Sequence, residues 1–193
     1  MNILGIVILI IFYSIYLGKM ILQKKKGIQT DQMAKNKQKN KVFYIELILK
    51  IATYMVVLIE IISIFTAPSQ LPQVFIISGA ILGITGDIIF AAAVFTMQDS
   101  WRAGIAENDK TQIITNGIYK FSRNPAFLGF DCVYIGFVLM FFNVPLLLFS
   151  IFAITMLHLQ ILQEEQYLTK TFGETYINYK NKVCRYFGRK NKF

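Results

Sequence analysis

The chain has 193 residues, of which 55% are hydrophobic and 16% charged, and its mean hydropathy is +0.50. This composition is too apolar for an ordinary soluble domain and predicts an integral membrane protein. The net charge of +9 does not indicate a nucleic-acid partner, because fourteen of the twenty basic residues lie in residues 24–41 and after residue 164, where membrane lipid headgroups attract them.

Five stretches are candidates for membrane-spanning helices, which need about 20 mostly apolar residues. They are residues 2–22, 42–67, 71–97, 127–143 and 144–162. The last two are separated by only "NVP", which predicts a tight helical hairpin with Pro145 in the first turn of its second helix. We therefore expect an all-α, polytopic membrane protein with about five transmembrane helices and a single domain over residues 1–193.

Charge distribution predicts the orientation, because Lys and Arg accumulate in cytoplasmic loops. The first and third loops and the C-terminal tail are basic, whereas "PSQ" at 68–70 and the hairpin turn carry no charge. This alternation predicts an N-terminus outside and a C-terminus in the cytoplasm, as in a bacterial inner membrane. No basic stretch precedes the first span, so we expect an anchor and not a cleaved signal peptide.

Small and charged residues within the first three spans have structural interpretations. Gly79, Gly83 and Gly86 give the third span a small-residue face, which predicts close helix packing. Glu46 and Lys50 are spaced i, i+4, and this spacing favours a pair along the helix or snorkelling of the lysine.

Three carboxyl groups at membrane depth remain candidates for an unassigned function. Glu60, Asp87 and Asp131 occur inside predicted spans, where such groups usually face a cavity or a partner. The two cysteines, Cys132 and Cys184, show neither a disulfide pattern nor a metal-binding spacing, so no metal is predicted.

The loop "GIYKFSRNPAFLGF" (117–130) leads directly into the fourth span. Pro125 suits the first position of a helix and keeps Asn124 out of the helical conformation. Asn124 or Ser122 is expected to cap the helix, and the free backbone N–H groups beside Arg123 would form an anion cradle. The alternative interpretation is an ordinary helix start without a bound anion, which has the same sequence pattern.

A second polar cluster lies at the end of the fifth span. Gln160 and Glu164 share one helical face, and His158 and Glu165 share a neighbouring one. Because the hairpin is antiparallel, this cluster returns to the level of Arg123. We therefore expect both clusters to form one site.

The C-terminal half resembles the integral membrane methyltransferases related to isoprenylcysteine carboxyl methyltransferase and the phospholipid N-methyltransferases. Four stretches match that family in order and spacing: "IITNGIY" (113–119), "RNPAFLG" (123–129), "EEQYL" (164–168) and "FGETYINY" (172–179). The resemblance covers about residues 100–188. It implies a division into N-terminal spans with the Lys-rich loop, residues 1–97, and a cofactor-binding catalytic half, residues 98–193.

The resemblance also implies S-adenosylmethionine as the cofactor, bound without a Gly-rich Rossmann loop, and the sequence contains no G-x-G-x-x-G. The residues that it assigns to the cofactor are Gln112, Ile113, Ile114, Tyr119, Asn124, Pro125, Ala126, Phe127 and Glu164. Arg123 and Glu165 are the implied catalytic residues, and His158 and Gln160 the implied substrate residues.

Three positions depart from the isoprenylcysteine enzymes. Asn124 replaces a His, Phe127 replaces a Tyr, and Gln160 replaces an Arg that meets the substrate carboxylate. Gln cannot offer a charged bidentate fork to a carboxylate, and His158 is a candidate for setting another substrate preference. We therefore predict methyl transfer to a lipid, an isoprenoid-linked group or another small membrane-embedded acceptor. The sequence does not determine the identity of the acceptor, the oligomeric state or whether the methyl group is transferred to oxygen, nitrogen or sulfur.

Two other functions stay open. A sterol-type membrane reductase that uses NADPH has a similar hairpin with N-P-x-Y, followed by a Glu and a Trp. Here the nearest acid is Asp131, and Trp101 lies upstream. The other alternative is a non-enzymatic membrane scaffold.

The tail has an amphipathic pattern. Leu168, Phe172, Tyr176, Tyr179 and Val183 recur every three to four residues. This pattern predicts an interfacial helix that anchors the tail to the membrane or roofs the cofactor pocket.

Overall fold

The computed structural model describes residues 1–35, 38–66, 71–105 and 112–190. Six α-helices account for most of these residues. They are α1 (Asn2–Lys25), α2 (Lys41–Thr66), α3 (Gln73–Met97), α4 (Pro125–Met140), α5 (Val144–Phe172) and α6 (Glu174–Lys182). Within the described ranges there is no β-strand, only two isolated bridges, which confirms the all-α prediction.

Four helices, α1, α2, α3 and α5, are long and apolar enough to cross a membrane. Large aliphatic and aromatic side chains cover their outer faces, as expected for lipid contact. The chain is therefore an integral membrane protein. The "PSQ" turn at 68–70, together with Lys37 and Lys110 of the basic loops, lies outside the described residues.

The hairpin helices differ in length from the predicted spans. α4 has 16 residues, which at 1.5 Å per residue gives about 24 Å, less than the roughly 30 Å hydrocarbon core. α5 has 29 residues and continues ten residues beyond the predicted end at Leu162, to Phe172. The polar cluster therefore lies on a continuous extension of a membrane-spanning helix.

Glycines allow α3 and α4 to approach within backbone contact. A Cβ placed on Gly79 would be 2.6 Å from the carbonyl oxygen of Gly136, and one on Gly86 would be 2.7 Å from that of Gly129. A Cβ on Gly83 would be 3.1 Å from the side chain of Ile8 in α1. The predicted close packing of this small-residue face is confirmed, and Gly129 and Gly136 lie on its α4 side.

The α4–α5 turn is fixed by one asparagine. Asn143 Oδ1 accepts the N–H of Leu146 at 2.9 Å and caps α5, and Pro145 lies in the first turn as predicted. Asn143 Nδ2 donates to Ser63 Oγ of α2 at 2.8 Å, which ties the hairpin to the rest of the bundle.

At the opposite end, which we call the basic end, the loops after α1 and α3 pair with each other. Gln32 N–H donates to the carbonyl of Ala103 at 2.8 Å, and Ala103 N–H donates to that of Thr30 at 3.0 Å. The buried Gln23 side chain donates to the carbonyl of Trp101 and accepts from the hydroxyl of Thr30. These bonds hold residues 101–103 against the end of α1 and the loop that follows it.

The tail differs from the single amphipathic helix that the sequence predicts. α5 continues through Leu168 to Phe172, and the chain then breaks at Gly173, whose φ of +54° suits a residue without a side chain. α6 begins at Glu174. Its apolar residues Tyr176 and Tyr179 are buried against the protein, so this helix contributes to the core of the basic end.

Candidate functional site

The start of α4 is built from its own loop and not from the predicted side-chain cap. Pro125 occupies the first turn of the helix, as expected, and Asn124 is the N-cap residue, but its side chain makes no capping hydrogen bond. Ser122 Oγ accepts the N–H of Asn124 at 3.1 Å. The capping prediction for Asn124 was therefore wrong, because its side chain binds a more distant partner.

That partner is Glu165, which receives several hydrogen bonds at the end of α5. Arg123 donates to Glu165 Oε1 from Nε at 3.0 Å and from Nη2 at 2.7 Å, and Asn124 Nδ2 donates to the same oxygen at 3.2 Å. Arg185 Nη2 donates to Glu165 Oε2 at 3.0 Å, and these bonds to Glu165 raise the pKa of Arg185. The structure thus brings the two predicted clusters together.

The same arginine holds the tail. Arg123 Nη1 donates to the carbonyls of Lys180 at 3.0 Å and Val183 at 2.9 Å. Its backbone N–H donates to the carbonyl of Cys184. Arg123 therefore joins the loop before α4, the end of α5 and the tail.

A second polar chain links α2 to α5. Glu46 is buried and accepts the backbone N–H groups of Ala34 at 2.8 Å and Ile105 at 3.0 Å. Gln160 Nε2 donates to Glu164 at 3.0 Å and to Glu46 at 3.4 Å. Glu46 thus holds two loops of the basic end against α2, beyond the local helix interaction that its spacing with Lys50 favours.

Lys50 pairs with the loop after α1. Its Nζ donates to Asp31 Oδ2 at 2.6 Å, and Lys35 lies 3.1 Å from the same oxygen. Burial opposes ionisation of Asp31, but the hydrogen bonds and charges of the two lysines outweigh it and lower the pKa of this carboxyl.

Two cavities open at the basic end. The loop cavity is lined by residues of the 97–105 and 112–127 segments and by side chains from the end of α5 and from α6. The helix cavity lies between α1, α2 and α5 and is mostly apolar. The residues that line both cavities are Trp101, Arg102, Gly104, Ala126 and Phe127. The first turn of α4 therefore forms a common wall.

Most of the predicted cofactor residues line the loop cavity. They are Gln112, Ile113, Ile114, Tyr119, Asn124, Ala126, Phe127 and Glu164, together with Arg123. Gln160, predicted on the substrate side, lines the helix cavity. Of the other predicted site residues, Pro125, His158 and Glu165 line neither cavity.

His158 lies against the tail. Its Nδ1 is 2.6 Å from the hydroxyl of Tyr186, and the two rings are stacked with centroids 6.0 Å apart. This contact connects α5 to the tail, and neither residue lines either cavity. A substrate role for His158 stays a prediction, without a contact that supports it.

Tyr119 lines the loop cavity. Tyr179 donates its hydroxyl hydrogen to the carbonyl of Tyr119 at 2.7 Å, and both rings belong to a buried cluster with Tyr176. Burial, and then the nearby Tyr179 and Glu164, raise the pKa of Tyr119. The phenol therefore stays protonated and able to donate a hydrogen bond at neutral pH.

The sequence did not reveal every residue of the cavities. Trp101 and Gly104 line both, and Gly104 has a φ of +89° with a Cβ position only 2.9 Å from Met33. The signal for Trp101 was its position as the only tryptophan, next to Arg102 in an otherwise polar loop. Nothing in the local sequence indicates that residues 31 and 103 meet.

The acids at membrane depth belong to neither cavity. Both oxygens of Glu60 and one oxygen each of Asp87 and Asp131 are buried without a hydrogen-bond partner among the described residues. We therefore assign no function to these three acids.

The part of the chain that contains the α4–α5 hairpin is similar to known proteins. The isoprenylcysteine carboxyl methyltransferase family model matches residues 79–170. Protein-S-isoprenylcysteine O-methyltransferase of Saccharomyces cerevisiae is 32% identical over 108 residues, which is 54% of this chain and 45% of the relative. Protein-S-isoprenylcysteine O-methyltransferase A of Arabidopsis thaliana is 31% identical over 109 residues, 55% of each chain.

The matched segment contains both sides of the site. It extends from the glycine face of α3 through the α4–α5 hairpin to Lys170, and so includes Arg123, Gln160 and Glu164. The chain spans about half the length of the curated relatives it matches. Across residues 79–170, this chain is similar to the isoprenylcysteine carboxyl methyltransferase family.

Proposed function

We propose that this protein is an integral membrane methyltransferase that binds S-adenosylmethionine in the loop cavity and a lipophilic acceptor in the helix cavity. The observation that carries the proposal is the common wall at the first turn of α4. Ala126 and Phe127 line both cavities, so a donor and an acceptor would meet there. The names of the relatives support methyl transfer as the reaction.

The loop cavity has the chemistry that this cofactor requires. Its lining combines aromatic rings, aliphatic side chains, the Glu164 carboxylate and the side chains of Arg102 and Arg123. Aromatic faces and a carboxylate attract a sulfonium cation, and Tyr119 and Phe127 offer surfaces for an adenine ring. When bound, S-adenosylmethionine supplies an activated methyl group on its sulfonium.

The protein then aligns the two reactants and excludes water. Tyr119, Ile113 and Ile114 would hold the donor, and Glu164 would bind it from α5. Arg123 and Glu165 act as positioning residues in this proposal, because their hydrogen bonds connect the loop before α4, the end of α5 and the tail. The tail helix α6 would close the cavity through Tyr176 and Tyr179.

The acceptor would enter from the membrane. Among the residues that line the helix cavity, Leu17 of α1 and Tyr54 of α2 are exposed on the outer surface of spanning helices. A molecule with an apolar chain could therefore move laterally from lipid to the wall. The relatives are named for acting on isoprenylcysteine, and we propose an isoprenoid-linked or other lipid acceptor here.

Calorimetric titration with S-adenosylhomocysteine, on protein in nanodiscs, tests the donor site. Glu164→Ala and Tyr119→Ala are each expected to weaken binding by about 1 to 3 kcal/mol, the cost of losing a buried polar partner. Glu174→Ala and Tyr44→Ala are matched controls, because both side chains are exposed and line neither cavity. These controls should bind like the unmodified protein.

The same titration separates the alternatives. Binding of NADPH in place of S-adenosylhomocysteine, with the same dependence on Tyr119, would indicate a reductase. Binding of neither nucleotide would indicate a scaffold.

A further inference from the structure

Gln160 is held in one orientation by two carboxylates. Its Nε2 donates to Glu164 Oε1 at 3.0 Å and lies 3.4 Å from Glu46 Oε1. Ionised carboxylates accept hydrogen bonds and cannot donate them, so the amide must present its NH₂ group to this side. The chemistry of the neighbours therefore fixes which atom is the nitrogen.

The amide oxygen is consequently directed away from the carboxylates. Gln160 Oε1 is buried and has no hydrogen-bond partner among the described residues. A buried acceptor without a donor is energetically unfavourable. Since Gln160 lines the helix cavity, a ligand there that donates a hydrogen bond to Oε1 would remove this cost.

The charged groups that contact Gln160 disfavour a carboxylate head group beside its amide. Lys50, which lines the cavity, binds Asp31 at 2.6 Å. Arg102 donates to the backbone carbonyls of Asp99 at 2.6 Å and Trp101 at 2.9 Å. Beside Gln160 itself, the nearest charges are the two carboxylates of Glu46 and Glu164, which would repel an anionic head group.

Resting on the methyltransferase function proposed above, we propose that the acceptor is a lipid whose head donates a hydrogen bond, namely a hydroxyl, thiol or amine, and that Gln160 determines this specificity. The head's oxygen, sulfur or nitrogen attacks the methyl carbon and forms a bond to it, while the bond from that carbon to the sulfonium breaks. The donor leaves as a neutral thioether. The proton that the head loses is released to solvent water at the basic end.

Binding of matched probes tests the specificity. Farnesol, farnesylamine and farnesoic acid share one apolar chain and differ in their heads. Each is titrated into the full chain in nanodiscs saturated with S-adenosylhomocysteine. We expect farnesol or farnesylamine to bind about tenfold more tightly than farnesoic acid, the equivalent of one buried hydrogen bond.

Two substitutions at Gln160 separate specificity from packing. Gln160→Leu should weaken the hydrogen-bonding probe about tenfold and leave farnesoic acid unchanged. Gln160→Arg should reverse the order and favour farnesoic acid, because Arg offers a charged fork to a carboxylate. Gln166→Leu, at an exposed position of the same helix, is the matched control.

Equal or tighter binding of farnesoic acid by the unmodified protein would overturn the inference. So would an equal effect of Gln160→Leu on all three probes, or no binding of any probe. In each of these cases, unchanged binding of S-adenosylhomocysteine would leave the methyltransferase proposal standing. Failure of the unmodified protein to bind S-adenosylhomocysteine would contradict the methyltransferase proposal, and the inference with it.

Discussion

Arg123 and Glu165 form an ion pair that water barely reaches, because their side chains are only 4% and 3% exposed. A buried pair stabilises a protein only when further hydrogen bonds satisfy its remaining donors and acceptors. Here the tail carbonyls of Lys180 and Val183 accept hydrogen bonds from Arg123 Nη1, and Arg185 supplies Glu165 with a second cation. The pair therefore joins segments of the chain that are about 40 to 60 residues apart.

Glu165→Leu is expected to destabilise the protein more than Arg123→Met. The first leaves Arg123 buried without its anion, at a cost of about 3 to 5 kcal/mol. The second leaves Glu165 bound to Arg185 and Asn124. The measurement is unfolding by increasing SDS in mixed micelles, and the double variant should lose less than the sum of the two.

Lys26→Met is the control for these variants, because Lys26 pairs with Asp99 on the exposed surface. It should leave the unfolding curve almost unchanged. An additive double variant would show that Arg123 and Glu165 are not energetically coupled.

At the level of the helices, the packing of α3 against α4 depends on glycines. Within a membrane the hydrophobic effect gives helices little reason to associate, so close packing must supply the attraction. Gly79, Gly86, Gly129 and Gly136 allow backbone contact along the interface. Because α4 carries the common wall of the two cavities, this interface sets the position of the wall relative to α3.

Gly136→Ala should destabilise the protein by about 1 to 3 kcal/mol, the usual cost of overpacking. The added methyl group would lie 2.7 Å from the carbonyl oxygen of Gly79, and backbone atoms cannot move away as a flexible side chain can. Gly18→Ala is the matched control, since nothing lies within 4 Å of its added methyl group. SDS unfolding compares the two, and equal curves would contradict the packing argument.

The short helix α6 has one buried face and one exposed face. Tyr176 lines the loop cavity and is 2% exposed, whereas the adjacent Ile177 is 42% exposed. If α6 roofs the donor site, Tyr176→Ala should weaken S-adenosylhomocysteine binding by about tenfold, or 1.4 kcal/mol. Ile177→Ala should not.

Calorimetric titration of both variants decides between the roof and a simple anchor. Equal affinities in Tyr176→Ala and Ile177→Ala would leave α6 with an anchoring role alone.

For the whole molecule, the sequence predicts the features that depend on local pattern. Apolar length predicts the spanning helices, Pro125 marks the start of α4, and Asn143 with Pro145 marks the hairpin. The antiparallel hairpin also predicts that Arg123 comes near the polar end of α5. Each of these features is determined by residues that are close together in the sequence.

The rest depends on contacts between distant segments. Asn124 could cap its helix, yet it binds Glu165, 41 residues away. Glu46 accepts backbone N–H groups of Ala34 and Ile105, 12 and 59 residues away, and no periodicity encodes such partners. The tail has the amphipathic pattern that the sequence indicates, but its apolar face packs against the rest of the protein.

The orientation of the molecule is the final prediction, and it follows from the separation of charge between its two ends. The basic end carries Arg102, Arg123 and the tail, whereas the hairpin turn at residues 143–145 is uncharged. We expect the basic end in the cytoplasm. In a variant whose two cysteines are replaced by Ser, Val144→Cys should react with an impermeant thiol reagent added to intact cells, because Val144 is 60% exposed at the turn. Lys182→Cys, at an exposed position of α6, should react only after the membrane is permeabilised. Labelling of Lys182→Cys in intact cells, with Val144→Cys protected, would reverse the orientation and place the donor cavity on the side where a cytoplasmic cofactor cannot reach it.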